Sequence, residues 1–346
     1  MMFHLIYELS EVYNYKVFNN YLITSSKQNI QLYDERNFNL LGKLSFNRFP
    51  KILDLKKDSF LLQDQMRYLE IDYSLLVKDV LVLDFKDVWM THYIDENCVL
   101  FKQAVDRVEN HFQIVKYNLK EREIVWVSKC DNYKLSYIDT DHIITDNAHS
   151  NSLICFDTKS GDISWEADLN KIFSELYSFK EMGCLICSKP VFYKKTLIVH
   201  IQKIDSGSRY LACININTGV LNWHTEGYSN YELYNEKIYC IEFYGLYRVL
   251  NPESGEVEKE IDLKDEFERM DINCEHRFNV TDTHIYFKHA IKGKFGVLNQ
   301  ESFKVEEVQQ LPDGNTISTE EFPIPFEDKL YVRSAPKNNL FIYKRE

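Results

Sequence analysis

Two cysteines, a pair of aspartates and a scatter of histidines are the residues of this chain whose types and spacing could do chemistry. Cys184-Leu185-Ile186-Cys187 has the spacing of half a zinc site or of a dithiol redox pair. No second pair stands at zinc spacing. In an apolar run read as a strand, the two thiols point to opposite faces. Asp139-Thr140-Asp141 begins like a calcium loop, but the Gly and Glu of that pattern are missing, so it reads as a turn. The 10 histidines are dispersed, and His142 and His284 begin apolar runs, where a structural role is expected. Asn279-Val280-Thr281 is a glycosylation sequon by letter. The chain has no Gly-rich phosphate loop, no Gly-x-Ser-x-Gly elbow and no His-Glu-x-x-His pair. We therefore expect no catalytic, cofactor-binding or metal-ligating residues, no cofactor and no enzymatic activity.

The elements that would have to position any site come from a repeated phrase. Ile154-Cys155-Phe156-Asp157-Thr158-Lys159-Ser160-Gly161-Asp162-Ile163-Ser164-Trp165 returns as Cys213-Ile214-Asn215-Ile216-Asn217-Thr218-Gly219-Val220-Leu221-Asn222-Trp223. A third copy, Val249-Leu250-Asn251-Pro252-Glu253-Ser254-Gly255-Glu256-Val257, lacks the Trp. Each reads as a strand, a tight turn that needs Gly, and a second strand. Self-similarity every few tens of residues signals a repeat architecture, here a β-propeller. The third strand of the unit ends in an apolar residue and Asp or Asn at Tyr33-Asp34, Ile71-Asp72, Tyr117-Asn118, Phe156-Asp157, Ile214-Asn215, Leu250-Asn251 and Leu298-Asn299. A β-branched or aromatic run precedes each of them, such as Tyr21-Leu22-Ile23 or Leu197-Ile198-Val199.

The C-terminus adds Lys329-Leu330-Tyr331-Val332 and Leu340-Phe341-Ile342-Tyr343, and no outer strand follows. The N-terminal run Phe3-His4-Leu5-Ile6-Tyr7 has no other place. Used as the missing strand, residues 3–9 close the ring and cover two edges. The expected fold is all-β: one propeller domain over residues 1–346, built of four-stranded blades, with an insertion between blades at 166–185. Eight blades fit this reading, and seven is the alternative.

The strand–(Asp/Asn)–x–x–x–Gly–x–apolar–x–Trp phrase resembles the PQQ-like, quinoprotein-type propeller repeat. The match is good for units four and five, fair for unit six and partial for unit three, where Arg122 stands in place of Gly. Units one, two, seven and eight share only the strand pattern. The resemblance implies that Trp126, Trp165 and Trp223 dock neighbouring blades. The quinone enzymes of that family carry an adjacent Cys-Cys pair, which this chain lacks, so the resemblance implies the architecture without the quinone site.

The chain has 346 residues, 41 Lys and Arg against 53 Asp and Glu, and a formal charge of −12. An acidic surface argues against nucleic acid and anionic membranes, which call for Lys and Arg, and suits a basic protein partner. The N-terminus has no basic region ahead of its apolar run, which Glu8 interrupts, so no export signal is expected. With cysteines lying in apolar runs, the expectation is a cytoplasmic monomer. The first cysteine is Cys98, so there is no lipobox of the kind that periplasmic lipoproteins of this repeat family carry.

In a propeller, the first-to-second and third-to-fourth strand turns emerge on one face. The second-to-third and blade-to-blade connections emerge on the other. The first set is tight throughout, and the second holds the long segments 105–111, 203–209, 169–183, 262–276 and 309–321. Loops of that length tend to be functional. The acidic segment supplies Asp262, Asp265, Glu266, Glu268, Asp271 and Glu275 as candidate partner-binding residues. An apolar stripe at helical spacing near residue 175 adds Phe173 and Tyr177. The expected function is a non-enzymatic protein-binding scaffold, in an immunity, inhibitor or adaptor role. The alternative is a propeller that binds a small molecule or works as an enzyme in its central funnel.

Overall fold

The computed structural model describes residues 3–64, 67–82, 88–95, 97–106, 111–131, 134–147, 152–172, 184–186, 190–203, 207–227, 230–275, 277–318, 321–335 and 337–346. Eight antiparallel sheets stand in a ring as an eight-bladed β-propeller. We letter the strands of a blade A to D from the axis outward. Blade 1 spans 14–45, blade 2 51–82, blade 3 88–131, blade 4 134–168, blade 5 184–226, blade 6 231–262 and blade 7 279–310. Blade 8 takes A, B and C from 316–345 and D from Phe3–Leu9.

Alternation along the strands builds the core. In the B strand Thr196–Lys203, Leu197, Val199 and Ile201 pack towards blade 4, while Ile198 packs towards blade 6. Both faces of a blade are covered, so B and C strands read as nearly continuous apolar runs. The buried clusters fall at the junctions between neighbouring blades; one joins Tyr15 and Leu22 of blade 1 to Tyr331 and Ile342 of blade 8. The outer D strands are exposed and carry charge, as in Val257–Asp262.

The C–D turn is the device that every blade with a continuous C–D hairpin repeats. Its Asp or Asn folds back to accept a backbone N–H two residues on, from Arg36, Ser74, Lys120, Lys159, Asn217, Glu253 and Glu301 in blades 1 to 7. This is the Asx turn these short side chains favour. A later residue then takes a left-handed backbone, and the ladder slips by one residue as the D strand begins. Gly161, Gly219 and Gly255 fill that position in blades 4, 5 and 6. In blades 1, 2, 3 and 7 the position is held by Phe38, Leu75, Arg122 and Phe303, with φ between 53° and 62°.

Three of these bulky residues, Phe38, Leu75 and Phe303, are explained by what meets the turn across the junction. Trp126, Trp165 and Trp223 each stack on the turn Gly of the following blade. A Cβ built on Gly161, Gly219 or Gly255 would lie 2.5 to 2.6 Å from the indole. The indole N–H donates to the carbonyls of Thr158 (3.0 Å), Ile216 (2.6 Å) and Pro252 (3.0 Å). The same ladder position of blade 1 is Gly42, and there the bulk comes from the turn instead, because Leu75 fills the space a Cβ on Gly42 would need. Blade 6 places Lys259 there, with its Nζ 3.7 Å above the ring of Phe303, a cation–π contact. Blade 8 places Tyr7 there, stacked on Phe38 at 4.9 Å. In each of these junctions bulk enters from one side or both, in complementary sizes.

The ring closes as expected. Phe3–Leu9 pairs antiparallel with Leu340–Arg345, from Phe3 opposite Arg345 to Leu9 opposite Leu340. Phe3 is buried against Tyr286 and Phe295 of blade 7. At the seam with blade 1, the buried carboxylate of Glu35 accepts from the Tyr331 hydroxyl (2.6 Å) and faces the Lys329 ammonium (2.9 Å).

Three boundaries differ from the sequence reading. The D strand of blade 4 continues to Asp168, so the expected insertion at 166–185 starts later. The segment 309–321 gives Thr316–Ile317 to the inner edge of blade 8, which is shared with Ile324–Phe326. The hairpins around 105–111 and 203–209 are strand up to Asp106 and Lys203. Asp139 makes the expected turn, accepting from the backbone of Asp141 and His142. His284 is buried between Thr283 and Glu306. Cys187 lies outside the described residues.

Two outcomes follow from the packing. Removing residues 1–9 uncovers the edge of Leu340–Arg345, and the protein should aggregate or lose much of its thermal stability; a monomeric truncation with an unchanged melting temperature contradicts the closure. Trp165→Ala should cost about 3–5 kcal/mol. Gly219→Ala should cost about 2–4 kcal/mol through backbone strain and the clash with Trp165. In the Trp165→Ala background, Gly219→Ala should cost only about 1–2 kcal/mol, because the strain alone remains. Denaturant titration of the four proteins measures the difference, and simple additivity contradicts the socket.

Candidate partner-binding face

Two sets of connections leave the ring on opposite faces, and backbone hydrogen bonds identify them. The N–H after the Asp or Asn anchor donates to the A–B turn of the same blade, as from Thr158 to Asp141 (3.1 Å) and from Ile216 to Lys195 (2.9 Å). A–B and C–D turns thus lie on one face. The B–C turns and the blade-to-blade connections lie on the other, and the described segment 262–275 belongs to it.

This segment is a docked helix, not an open acidic loop. Lys264–Arg269 is helical, with Asp265 and Glu266 in the first turn, where the helix dipole favours carboxylates. Phe267 anchors it, buried and stacked on Phe287 of blade 7 at 5.1 Å. The close approach needs Gly245, whose φ is +101° and whose missing Cβ leaves room for the Leu263 carbonyl and the Phe267 ring. The Leu263 N–H donates to the Gly245 carbonyl at 3.0 Å.

The helix divides the six expected acids into different roles. Asp262, Asp265 and Glu268 face solvent, and among the described residues Asp265 and Glu268 have no ion pair. Glu266 is paired with Arg269 at 2.8 Å. Asp271 is held by Lys292 and by Lys294 at 2.7 Å, and these hydrogen bonds lower its pKa to about 2. Glu275 departs furthest from the expectation. It is buried, accepts the Ala290 N–H at 2.6 Å and the Ile291 N–H at 3.4 Å, and faces His289 at 3.4 Å. It braces a turn and does not stand on the surface. Phe173 and Tyr177 lie outside the described residues, while Ile172 just before them packs on the core between blades 4 and 5, as the simplest packing of that stripe requires.

Apolar side chains missed by the sequence reading stand on the same face. Tyr244, at the B–C turn of blade 6, is 67% exposed, and Ile291, at the B–C turn of blade 7, is 78% exposed. Each sits at a hairpin tip, Tyr244 next to Gly245 and Ile291 two residues before Gly293, where polar residues are usual, and that misplacement is the signal in the sequence. Beside Tyr244 a cleft of about 440 Å³ is lined by Arg209, Glu242, Phe243, Tyr244, Leu246, Asp262 and Lys264. Around the inner strands of blades 6 to 8, Arg277 pairs with Glu232 at 2.7 Å and Arg333 with Glu321 at 2.6 Å, and Arg277 lies 4.9 Å over the Phe322 ring. Burial raises the pKa of Glu232, against the pull of Arg277.

No protein-family model matches the chain, and no curated protein matches it in sequence. Solved propellers do match in shape. BamB from Moraxella catarrhalis aligns over 99% of this chain and 100% of its own, with 11% identity and a TM-score of 0.61. Sqt1 from Saccharomyces cerevisiae aligns over 99% and 98%, with 10% identity and a TM-score of 0.65. The C-terminal WD40 domain of Sif2 aligns over 100% and 99%, with 9% identity and a TM-score of 0.64. At these identities the likeness is one of fold, and it extends over essentially the whole ring.

Proposed function

We propose that this chain is a non-enzymatic scaffold that binds a basic protein through the face carrying its B–C turns and inter-blade connections. The observation that carries this reading is the uneven elaboration of the ring. The A–B and C–D turns repeat one compact design, while the helix Lys264–Arg269 and the exposed tips of Tyr244 and Ile291 are all on the opposite face. A net charge of −12 and the outward Asp262, Asp265 and Glu268 favour a cationic partner, mainly by speeding encounter. Within this class, the charge suits an immunity or inhibitor protein that covers a basic surface, or an adaptor.

A second reading rests on the charged groups near the axis, where a small molecule would bind in the funnel. Arg277 and Arg333 each already face a carboxylate, so this cluster offers a ligand little uncompensated charge. The protein-binding reading is therefore preferred.

Affinity purification from the native cell, followed by mass spectrometry, supplies the partner for the test. Asp265→Lys with Glu268→Lys should slow its association and flatten the salt dependence of the on-rate. The melting temperature should hold, because exposed charges contribute under about 1 kcal/mol. Glu253→Lys with Glu256→Lys, on the tight-turn face, is the control. Weakened binding in the control alone refutes the choice of face. Recovery of no protein, with a small molecule raising the melting temperature, favours the funnel.

A further inference from the structure

Tyr244 and Ile291 sit on neighbouring blades and are joined by a short run of hydrogen bonds. The carbonyl of Phe243 accepts from the Cys274 N–H at 3.3 Å, and the next residue is Glu275. Glu275 receives the backbone N–H groups of Ala290 and Ile291 on its carboxylate, and its own N–H donates to the Lys288 carbonyl at 2.8 Å. The two tips are therefore held in fixed relation by one bridging segment. Each turn is braced again locally, by Gly245 N–H to Glu242 carbonyl at 2.9 Å and by Gly293 N–H to Ala290 carbonyl at 3.0 Å. Large apolar side chains on rigid supports lose little freedom on binding, which is the property of interface anchors.

The charge around them is biased. Lys292 and Lys294 are occupied by Asp271, and Arg269 by Glu266. At the cleft Arg209 and Lys264 balance Glu242 and Asp262, and the acids without an ion pair among the described residues, Asp265 and Glu268, stand on the adjoining helix. The cleft beside Tyr244 is lined by the apolar Phe243, Tyr244 and Leu246 together with Arg209, Glu242, Asp262 and Lys264.

We propose that Tyr244 and Ile291 form the apolar centre of the binding footprint, and that it takes a protein segment presenting an apolar side chain flanked by Lys or Arg. The apolar side chain enters the cleft beside Tyr244, and the flanking cations meet Asp262, Asp265 and Glu268. Glu275 contributes as a brace that aims Ile291. This inference rests on the preceding reading of the face and adds to it the anchor residues and the partner's chemistry.

A phage-displayed library of random linear peptides, selected on the immobilised full chain, tests it. Enriched peptides should combine Lys or Arg with a Leu, Met or aromatic residue. Tyr244→Ser with Ile291→Ser should weaken their binding by about 30-fold or more, the loss expected of a central anchor. Asp265→Lys with Glu268→Lys should weaken it less and reduce its salt sensitivity. Both tips are exposed, so unchanged thermal melting checks the fold. Basic peptides that bind the Tyr244→Ser, Ile291→Ser protein as well as the parent, yet lose binding on the Asp265→Lys, Glu268→Lys change, overturn the anchors and leave the face intact. Peptides sensitive only to Glu253→Lys with Glu256→Lys overturn the face as well. Enrichment of acidic peptides, or none above the doubly substituted protein, overturns the proposed partner chemistry.

Discussion

Five of the junctions turn on a D-strand side chain docked on the C–D turn of the next blade, and that between blades 1 and 2 on Leu75 of the turn filling the space at Gly42. A propeller blade is a twisted sheet with two apolar faces, and it is stable only when both are covered. Apolar contact alone is non-directional. It does not set how far one blade slides or tilts against the next. The socket does, because the indole of Trp165 has one place where its ring clears Gly219 and its N–H reaches the Ile216 carbonyl. Ile216 also donates its own N–H to Lys195 of the same blade. One turn residue thus ties together two turns and the preceding blade. In blade 6 that residue is Pro252, which has no N–H to give, and its carbonyl still receives Trp223.

This use of the C–D turns accounts for the division between the faces. Lengthening or rearranging a turn such as that of Gly219 would empty a socket and loosen a junction. The B–C turns and blade connections carry no such duty. They can take on a helix, as between blades 6 and 7, provided its apolar side has somewhere to go. Phe267 finds that place on Phe287, and Gly245 admits it. The helix Lys264–Arg269 accordingly lies on the face that the packing leaves unconstrained.

Much of the architecture was legible because the Asx anchor is a local signal. Seven Asp or Asn residues at the ends of C strands act within two residues of themselves, so seven blades could be counted from them, and the eighth came from the two C-terminal strands and the N-terminal run. The sockets were legible only where Trp met Gly. At Phe38, Leu75 and Phe303 the left-handed residue is bulky, and turn preferences predict the opposite. Those positions make sense only across a junction, beside Tyr7, Gly42 and Lys259, whose proximity no local pattern states. The face was partly legible, since connection length is a property of sequence. Glu275 was grouped with the surface acids because it follows them in the chain, but its carboxylate turns inward to two backbone amides. Tyr244 and Ile291 were lost among many aromatic and aliphatic residues, and only their place at hairpin tips sets them apart.

The closure of blade 8 also brings the strands Phe3–Leu9 and Leu340–Arg345 together. Phe3 stands opposite Arg345, and the Arg345 N–H donates to Asp328 as the corresponding turn residues do in other blades. Phe3 and Arg345 thus stand side by side at the position of an eighth C–D turn. A tag, a fluorophore or a sensor surface joined at either end holds the molecule by the back of the disc and leaves Tyr244 and Ile291 pointing away from the support.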